Sequence, residues 1–206
     1  MHYPVEQMSR GEKLFFFNLV KRRRLRHLVV ISHALKEMIK SDILGEKIIV
    51  AHDGADLIDK DIQTFISNKN GSRTKVGYIG QLYPGRGIEL IFKMALKLPN
   101  IDFHIIGGTE DDIKARKREI KGNNIFLHGF IPPSLTNKYI RNYDILVMPY
   151  QKKVSISGDK FSDTSQWMSP LKMFEYMASG KPIIASDLPA LREVLKQGKN
   201  AILVDP

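Results

Sequence analysis

The chain has 206 residues, 43% of them hydrophobic, a formal net charge of +10 and no cysteine. That length suits one large domain, or one domain with a piece of another. The missing cysteines exclude disulfides and thiolate metal sites and suit a reducing compartment.

No apolar run nears the ~20 residues of a membrane-spanning helix. The short run Leu14–Phe17, continued by Leu19 and Val20, has no cleavage site after it, and its basic cluster follows rather than precedes it, so it does not read as a secretory signal. The positive charge is concentrated. Nine Lys and Arg residues lie between Arg10 and Lys40, against Glu12, Glu37 and, just beyond, Asp42. Such a segment suits a polyanionic partner, and the plainer reading is a solvated helix face.

In chain order, residues 5–25 read as a helix with Phe15, Phe16, Leu19 and Val20 at helical spacing. His27–Ile31 reads as a short buried strand. Ser32 caps a helix over His33–Ile39, with Leu35, Met38 and Ile39 inward. Lys47–Ala51 is a further strand running into a turn at His52–Asp56, and 57–74 is polar and loop-like, with Asn68–Thr74 a plausible linker.

From Lys75 strands and helices alternate. Strands fall at Val76–Gly80, Phe103–Gly107, Ile125–Phe130, Asp144–Pro149, Pro182–Ser186 and Ala201–Val204. Helices fall at Ile88–Leu98 (Ile88, Ile91, Phe92 and Ala95 on one face), Glu110–Ile120, Ser134–Asn142, Ser169–Ser179 and Pro189–Lys196. This alternation specifies an α/β domain, a Rossmann-like doubly wound parallel sheet, preceded by an N-terminal helical extension. Ligands of such sheets bind at the carboxyl ends of the strands, where the loops Gly80–Gly87, Gly107–Gly108, Phe130–Ser134 and Tyr150–Lys172 belong.

Two of these loops suit phosphate chemistry, the first being equally open, taken alone, to an ordinary glycine-rich strand–helix turn. Gly80-Gln81-Leu82-Tyr83-Pro84-Gly85-Arg86-Gly87 joins a strand to a helix. Its glycines admit a phosphate close to the backbone, and Arg86 at the helix start binds one bidentately. It is not G-x-G-x-x-G, so a nicotinamide or flavin reading is weak. On the second helix, Ser169 is the expected N-cap, Pro170 the first helical residue and Gly180 the left-handed residue past the end. Lys172 then sits in the first turn, where the dipole disfavours a cation unless an anion is bound. The plain alternative is a surface ion pair with Glu175 at i,i+3 spacing.

Arg86, Lys172 and two helix N-termini converging on one edge suit a diphosphate. Glu175 then accepts sugar hydroxyls, and Phe130-Ile131-Pro132 holds a base, with a simple loop anchor equally open for Ile131. The histidines at 27, 33, 52, 104 and 128 show no metal spacing and read as structural or surface, and Met168, Met173 and Met177 read as core.

The segment S-P-L-K-M-F-E-Y-M-A-S-G-K-P-I-I-A-S from Ser169 to Ser186 resembles the donor-binding motif of retaining GT-B glycosyltransferases of the family-4, or group 1, type. Val29–Lys36, Val50–Asp56, Gly80–Gly87, Leu127–Ile131 and Asn200–Val204 resemble further pieces of that family in order, so the resemblance covers about residues 25 to 206. It implies the C-terminal, donor-binding half of a GT-B fold, with residues 1–46 the tail of the acceptor-side domain and a linker helix. Residues 47–206 are the nucleotide-sugar-binding domain, its closing helices missing after Pro206.

It implies diphosphate contacts at Gly80, Arg86, Gly87, Leu171 and Lys172, ribose at Glu175 and base at Phe130 and Ile131. The substrate is a nucleotide-diphosphate sugar such as a UDP- or GDP-sugar, with no metal and no separate cofactor, and the acceptor is a glycan or lipid-linked molecule of polysaccharide, lipopolysaccharide or glycolipid synthesis. It implies a cytoplasmic enzyme, at the inner face of the membrane if residues 10–40 meet anionic lipid, with no nucleic-acid partner. The mechanism implied is retaining transfer, inactive in this chain until an acceptor half is supplied.

There are departures. The first glutamate of the family's E-x7-E motif falls at Trp167, with Asp159 or Asp163 as the substitute acid, and the basic residue often following the first loop glycine is Gln81. Alternatives are a GT-B sugar-nucleotide epimerase or glycogen-synthase-like enzyme, and, in another class, a non-catalytic basic module for membrane or nucleic acid. No recognition motif supports the nucleic acid.

Overall fold

The computed structural model describes residues 4–5, 8–22, 24–39, 45–57, 73–155 and 163–206. Asp159, Arg23 and most of the expected linker, up to residue 72, lie outside them.

The chain opens with α1 (Arg10–Val20), shorter than the expected 5–25 because a capping box sets its start: Ser9 Oγ accepts from the Glu12 amide and the Glu12 carboxylate accepts from the Ser9 amide. Strand β1 (Leu28–Val30), helix α2 (His33–Ile39) and strand β2 (Ile48–Val50) follow. Ser32 caps α2 as expected, its Oγ accepting from Leu35 N at 3.0 Å. Leu35 and Ile39 turn inward, but Met38 is exposed.

The strands β1 and β2 pair in parallel as a separate two-stranded sheet. A boundary after residue 46 puts β2 with the Rossmann-like domain. The structure pairs it with β1 instead, because Ile48 buries in one core with Val30 and Leu35.

The main sheet begins at β3 (Thr74–Ile79). It continues through α3 (Ile88–Lys97), β4 (Ile101–Ile106), α4 (Glu110–Lys117), β5 (Ile125–Gly129), α5 (Pro133–Ile140), β6 (Ile145–Met148), α6 (Leu171–Ala178), β7 (Ile183–Ser186), α7 (Pro189–Arg192) and β8 (Ile202–Val204). All six strands are parallel, in the order β5-β4-β3-β6-β7-β8. This is the doubly wound sheet expected from the alternation, and strand order reverses between β3 and β6.

Helix α3 buries Ile88, Ile91, Phe92 and Ala95, the four residues its periodicity selects, against Val76, Tyr78, Phe103 and Ile105 of the sheet. The opposite face packs α5, α6 and α7 over Leu146, Met148, Ile183 and Ala185. Met168 and Met173 are buried there and Met177 packs against them, as expected. Helix α7 stops at Arg192, four residues earlier than expected. His104 of β4 is buried; its Nδ1 lies 2.9 Å from Nε2 of His128, and its ring stacks on Phe126.

The two-stranded unit is pinned to the main sheet by one plug and one cap. Trp167, 4% exposed, inserts among Phe16, Val20, Val30 and Leu35, while its carbonyl accepts from Ser32 Oγ at 2.9 Å. The Glu193 carboxylate accepts from the amides of His33 and Ala34, both at 2.7 Å, and so caps α2 from a distant part of the chain.

Candidate donor site

The site is built at the carboxyl ends of β3 and β6, where the strand order reverses. Close backbone approach forms its floor. Gly80 follows β3 with φ +146°, and Gly107 follows β4 with φ +118°; a Cβ on Gly107 would lie 2.1 Å from the Gly80 carbonyl. The Gly80 amide donates to Ile106 O at 2.9 Å and the Gly107 amide to Gly129 O at 2.7 Å, so three strand ends are laced into one ledge. Gly87 must also be small: a Cβ there would meet Pro149 O at 1.8 Å.

Both helices that open on this ledge lack a side-chain cap. The N-cap of α3 is Gly87, in the left-handed region, and that of α6 is Pro170. The expected Ser169 cap does not form. The helix starts one residue later, because Pro170 has extended backbone, and Ser169 Oγ is buried with no hydrogen-bond partner. By contrast α4, which opens after Gly107 and Gly108 at the end of β4, has a complete capping box from Thr109 and Asp112. Uncapped helix starts leave amide donors and the positive end of the dipole facing the ledge.

Two basic side chains complete it. Lys172, in the first turn of α6, is half-buried as a residue, yet its Nζ is enclosed and has no hydrogen-bond partner. The Nζ stands 4.0 Å from the centroid of the Tyr78 ring and 5.4 Å from that of Tyr150, and a Cβ on Gly80 would come within 2.4 Å of it. Arg86 reaches the same Tyr150: its guanidinium lies 5.4 Å from the ring centroid, Nη1 donates to the hydroxyl at 3.3 Å, and Nη2 donates to Ser155 O at 3.0 Å. Its Nε is buried and unpartnered.

The surface ion pair between Lys172 and Glu175 is thus absent; Nζ folds under Tyr78 rather than out toward the carboxylate. Burial pushes the Lys172 ammonium well below its ordinary pKa, the Arg86 charge adds to this, and Glu175 opposes it. The energies agree in direction. Enclosing an ammonium costs several kcal/mol, whereas a cation–π contact returns only about 0.5–2 kcal/mol. Glu175 moves upward, by burial first, with Lys172 opposing.

Gly80, Arg86, Gly87 and Lys172 therefore meet, and Glu175 lies one turn along the same helix. Leu171 is at the helix start but 60% exposed. Phe130 and Ile131 stand further out, past β5. Phe130 is exposed beside a cavity of about 530 Å³ lined also by Gly108, Thr109, Ile113, Lys117 and Leu127, while Ile131 packs inward against the α6 core. A larger cavity, about 720 Å³, is lined by Ile145, Lys181, Pro182, Ala201 and Ile202. It sits at the amino ends of β6, β7 and β8, the edge opposite the one where parallel sheets bind ligands.

Of the two substitute acids, Asp159 lies outside the described residues and Asp163 is engaged by backbone amides. Asp163 Oδ1 accepts from the amides of Val154 and Ser165 and staples the loop. Sequence reading missed Ser169 as a free hydroxyl, and it missed Tyr78, Tyr150 and Tyr176, whose convergence appears only once β3 lies beside β6.

A doubly wound domain with a glycine ledge, two basic side chains and uncapped helix starts at its switch point defines a class: Rossmann-like domains whose switch point is suited to an anionic ligand. Comparison with known proteins narrows it. Residues 73–206 match the family Glycosyl transferases group 1, and the chain belongs to that family.

Among curated relatives, it is 28% identical over 123 residues to a Bacillus subtilis (strain 168) protein named for teichuronic acid biosynthesis, the glycosyltransferase TuaH, covering 59% of this chain and 28% of that protein. It is 26% identical over 126 residues to the phosphatidyl-myo-inositol mannosyltransferase of Mycolicibacterium smegmatis, covering 59% of this chain and 29% of that protein. The chain thus spans less than a third of these relatives' length. The fold superimposes on Anabaena Alr3699/HepE, solved in complex with UDP and glucose, with a TM-score of 0.69 at 19% identity, over all of this chain and 56% of that one. The fold is that of GT-B glycosyltransferases.

Proposed function

We propose that this chain is the donor-binding portion of a retaining glycosyltransferase that holds a nucleotide-diphosphate sugar on the ledge between β3 and β6. The observation that carries this is the convergence of two buried, hydrogen-bond-deficient basic groups, Lys172 Nζ and Arg86 Nε, on the same tyrosine beside Gly80.

In this reading the diphosphate receives Lys172, Arg86, the Ser169 hydroxyl and the free amides of α3 and α6. Glu175 accepts ribose hydroxyls, and the base lies over Phe130 and Ile131. Charge that grows on the departing diphosphate is met by donors already in place, in a site shielded from water, which is where such stabilisation is strongest. By the family resemblance a donor-phosphate oxygen assists deprotonation of the acceptor, without metal. The main-sheet domain from residue 73 supplies the donor side, and transfer needs an acceptor-side domain. Relatives named for teichuronic acid and phosphatidylinositol mannoside chemistry support a glycan or lipid-linked acceptor.

Leu14 and Phe15 are 66% and 70% exposed beside Arg10 and Lys13, which supports contact with an anionic membrane at its cytoplasmic face. No described helix is long and apolar enough to cross a membrane.

The test is a calorimetric panel of UDP, GDP, ADP and CMP, each alone and as its sugar conjugate. One diphosphate binds the native chain, and Arg86→Ala and Lys172→Ala each weaken it about tenfold or more, the scale of a lost charge-assisted hydrogen bond. Equal binding by native chain and both variants overturns the site.

A further inference from the structure

The Nζ of Lys172 has no acceptor, and each tyrosine hydroxyl around it is engaged elsewhere. The hydroxyl of Tyr78 on β3 donates to Gln81 O at 2.8 Å; that of Tyr150 past β6 accepts from Arg86 Nη1 at 3.3 Å; that of Tyr176 on α6 accepts from Ile79 N at 2.8 Å. Glu175 makes no ion pair with it among the described residues, and Arg86 is a like charge on the same ring. An ammonium here would bury three donors beside a guanidinium, with only π faces in return; a neutral amine avoids that cost.

We propose that Lys172 is a proton-coupled ligand: it rests against Tyr78 and Tyr150 as a neutral amine and takes up one proton from solvent when the donor's diphosphate replaces the rings as its partner. This rests on the donor reading above. The downward displacement of its proton affinity by burial agrees with it. The tyrosines are held neutral by burial and are not the source of the proton. Tyr78 and Tyr150 are then positioning residues, which park the amine beside Gly80 where the phosphate arrives. Binding is tightest at low pH and weakens by up to about tenfold per pH unit across the window between the free and bound proton affinities, as one-proton linkage requires.

The experiment uses the native chain with UDP-glucose, GDP-mannose and ADP-glucose, whose phosphodiesters do not titrate near neutral pH. Calorimetry in Hepes and in Tris, which differ in ionisation heat, counts protons. About one proton is taken up per donor bound, and Lys172→Arg, whose guanidinium stays charged, binds with none. In parallel, the Lys172 Cε resonance of the free native chain titrates well below the surface lysines and moves back toward them with donor bound. Equal uptake by native chain and Lys172→Arg, or a Lys172 that titrates with the surface lysines, overturns the proposal. Failure of all three donors to bind overturns the donor reading itself.

Discussion

Trp167 separates what the family pattern implies from what the structure implies. By resemblance its position wants a glutamate, so Trp167→Glu should repair the sugar end of the site. In the structure it is the plug between the N-terminal unit and the main sheet, 4% exposed among Phe16, Val20, Val30 and Leu35. Removing a buried tryptophan costs about 3–5 kcal/mol, and enclosing a carboxylate without a partner adds several kcal/mol more. The sum rivals the whole stability of an ordinary domain, about 5–15 kcal/mol.

Trp167→Glu should therefore release the N-terminal unit or unfold the chain, whereas Trp167→Phe, which keeps a ring in the slot, should cost about 1–2 kcal/mol. Urea denaturation followed by circular dichroism gives the energies, and hydrogen exchange shows whether β1, β2 and α2 lose protection before the main sheet. The native chain carries its own reporter, because this is its single tryptophan: its fluorescence should be blue-shifted and shielded from quenchers. A Trp167→Glu protein within about 1 kcal/mol of the native chain and binding donor more tightly would refute the plug and restore the family role.

Gly80→Ala should weaken donor binding by at least about tenfold, because the new Cβ would stand 2.4 Å from Lys172 Nζ at a φ of +146°; unchanged affinity in the calorimetric panel would remove Gly80 from the ledge. His104 gives an acid limit. Burial, with His128 and Lys75 adding to it, lowers its pKa from 6.5 to about 4, so between those values the unfolded chain binds more protons. Stability present above pH 6.5 is then lost as pH falls, by about 3 kcal/mol near pH 4. Urea midpoints across this range should slope less in His104→Leu, and parallel slopes would clear the histidine. Co-sedimentation with phosphatidylglycerol vesicles should fall when Arg22 and Arg24 are changed to Gln, and no change would discard the membrane contact.

The alternation of strands and helices was legible because each element carries its own period. Helix α3 shows this best, since four apolar residues at helical spacing are the four that the sheet buries. The loops bearing Gly80, Arg86 and Lys172 were legible for a related reason: in a doubly wound sheet, chain order alone assigns them to one edge. What stayed hidden depends on contacts between distant residues. Nothing near Ser32 announces that Trp167 lies 135 residues away against it, or that Glu193 caps α2 across 160 residues. The Lys172–Glu175 pair failed for the complementary reason. Helical spacing brings two side chains within reach, but a cage of tyrosines from β3 and from the loop past β6 offered the lysine stem a buried route instead.

That cage also bears on the other departure from the family pattern, Gln81. A diphosphate needs positive charge at the first loop glycine, and the residue that often supplies it there is replaced by an exposed glutamine. The charge has not been lost from the ledge; it arrives from the opposite side, on Lys172 of α6, whose Nζ reaches Gly80 from beneath. The relocation changes its physics. A cation on an exposed loop is solvated, screened by salt and always charged. One beneath Tyr78 is shielded from water and unpartnered, and in our proposal its charge is decided by what occupies the ledge. In the proposed donor site the diphosphate is thereby met by the Arg86 guanidinium and by an amine, Lys172, whose charge depends on the diphosphate being there.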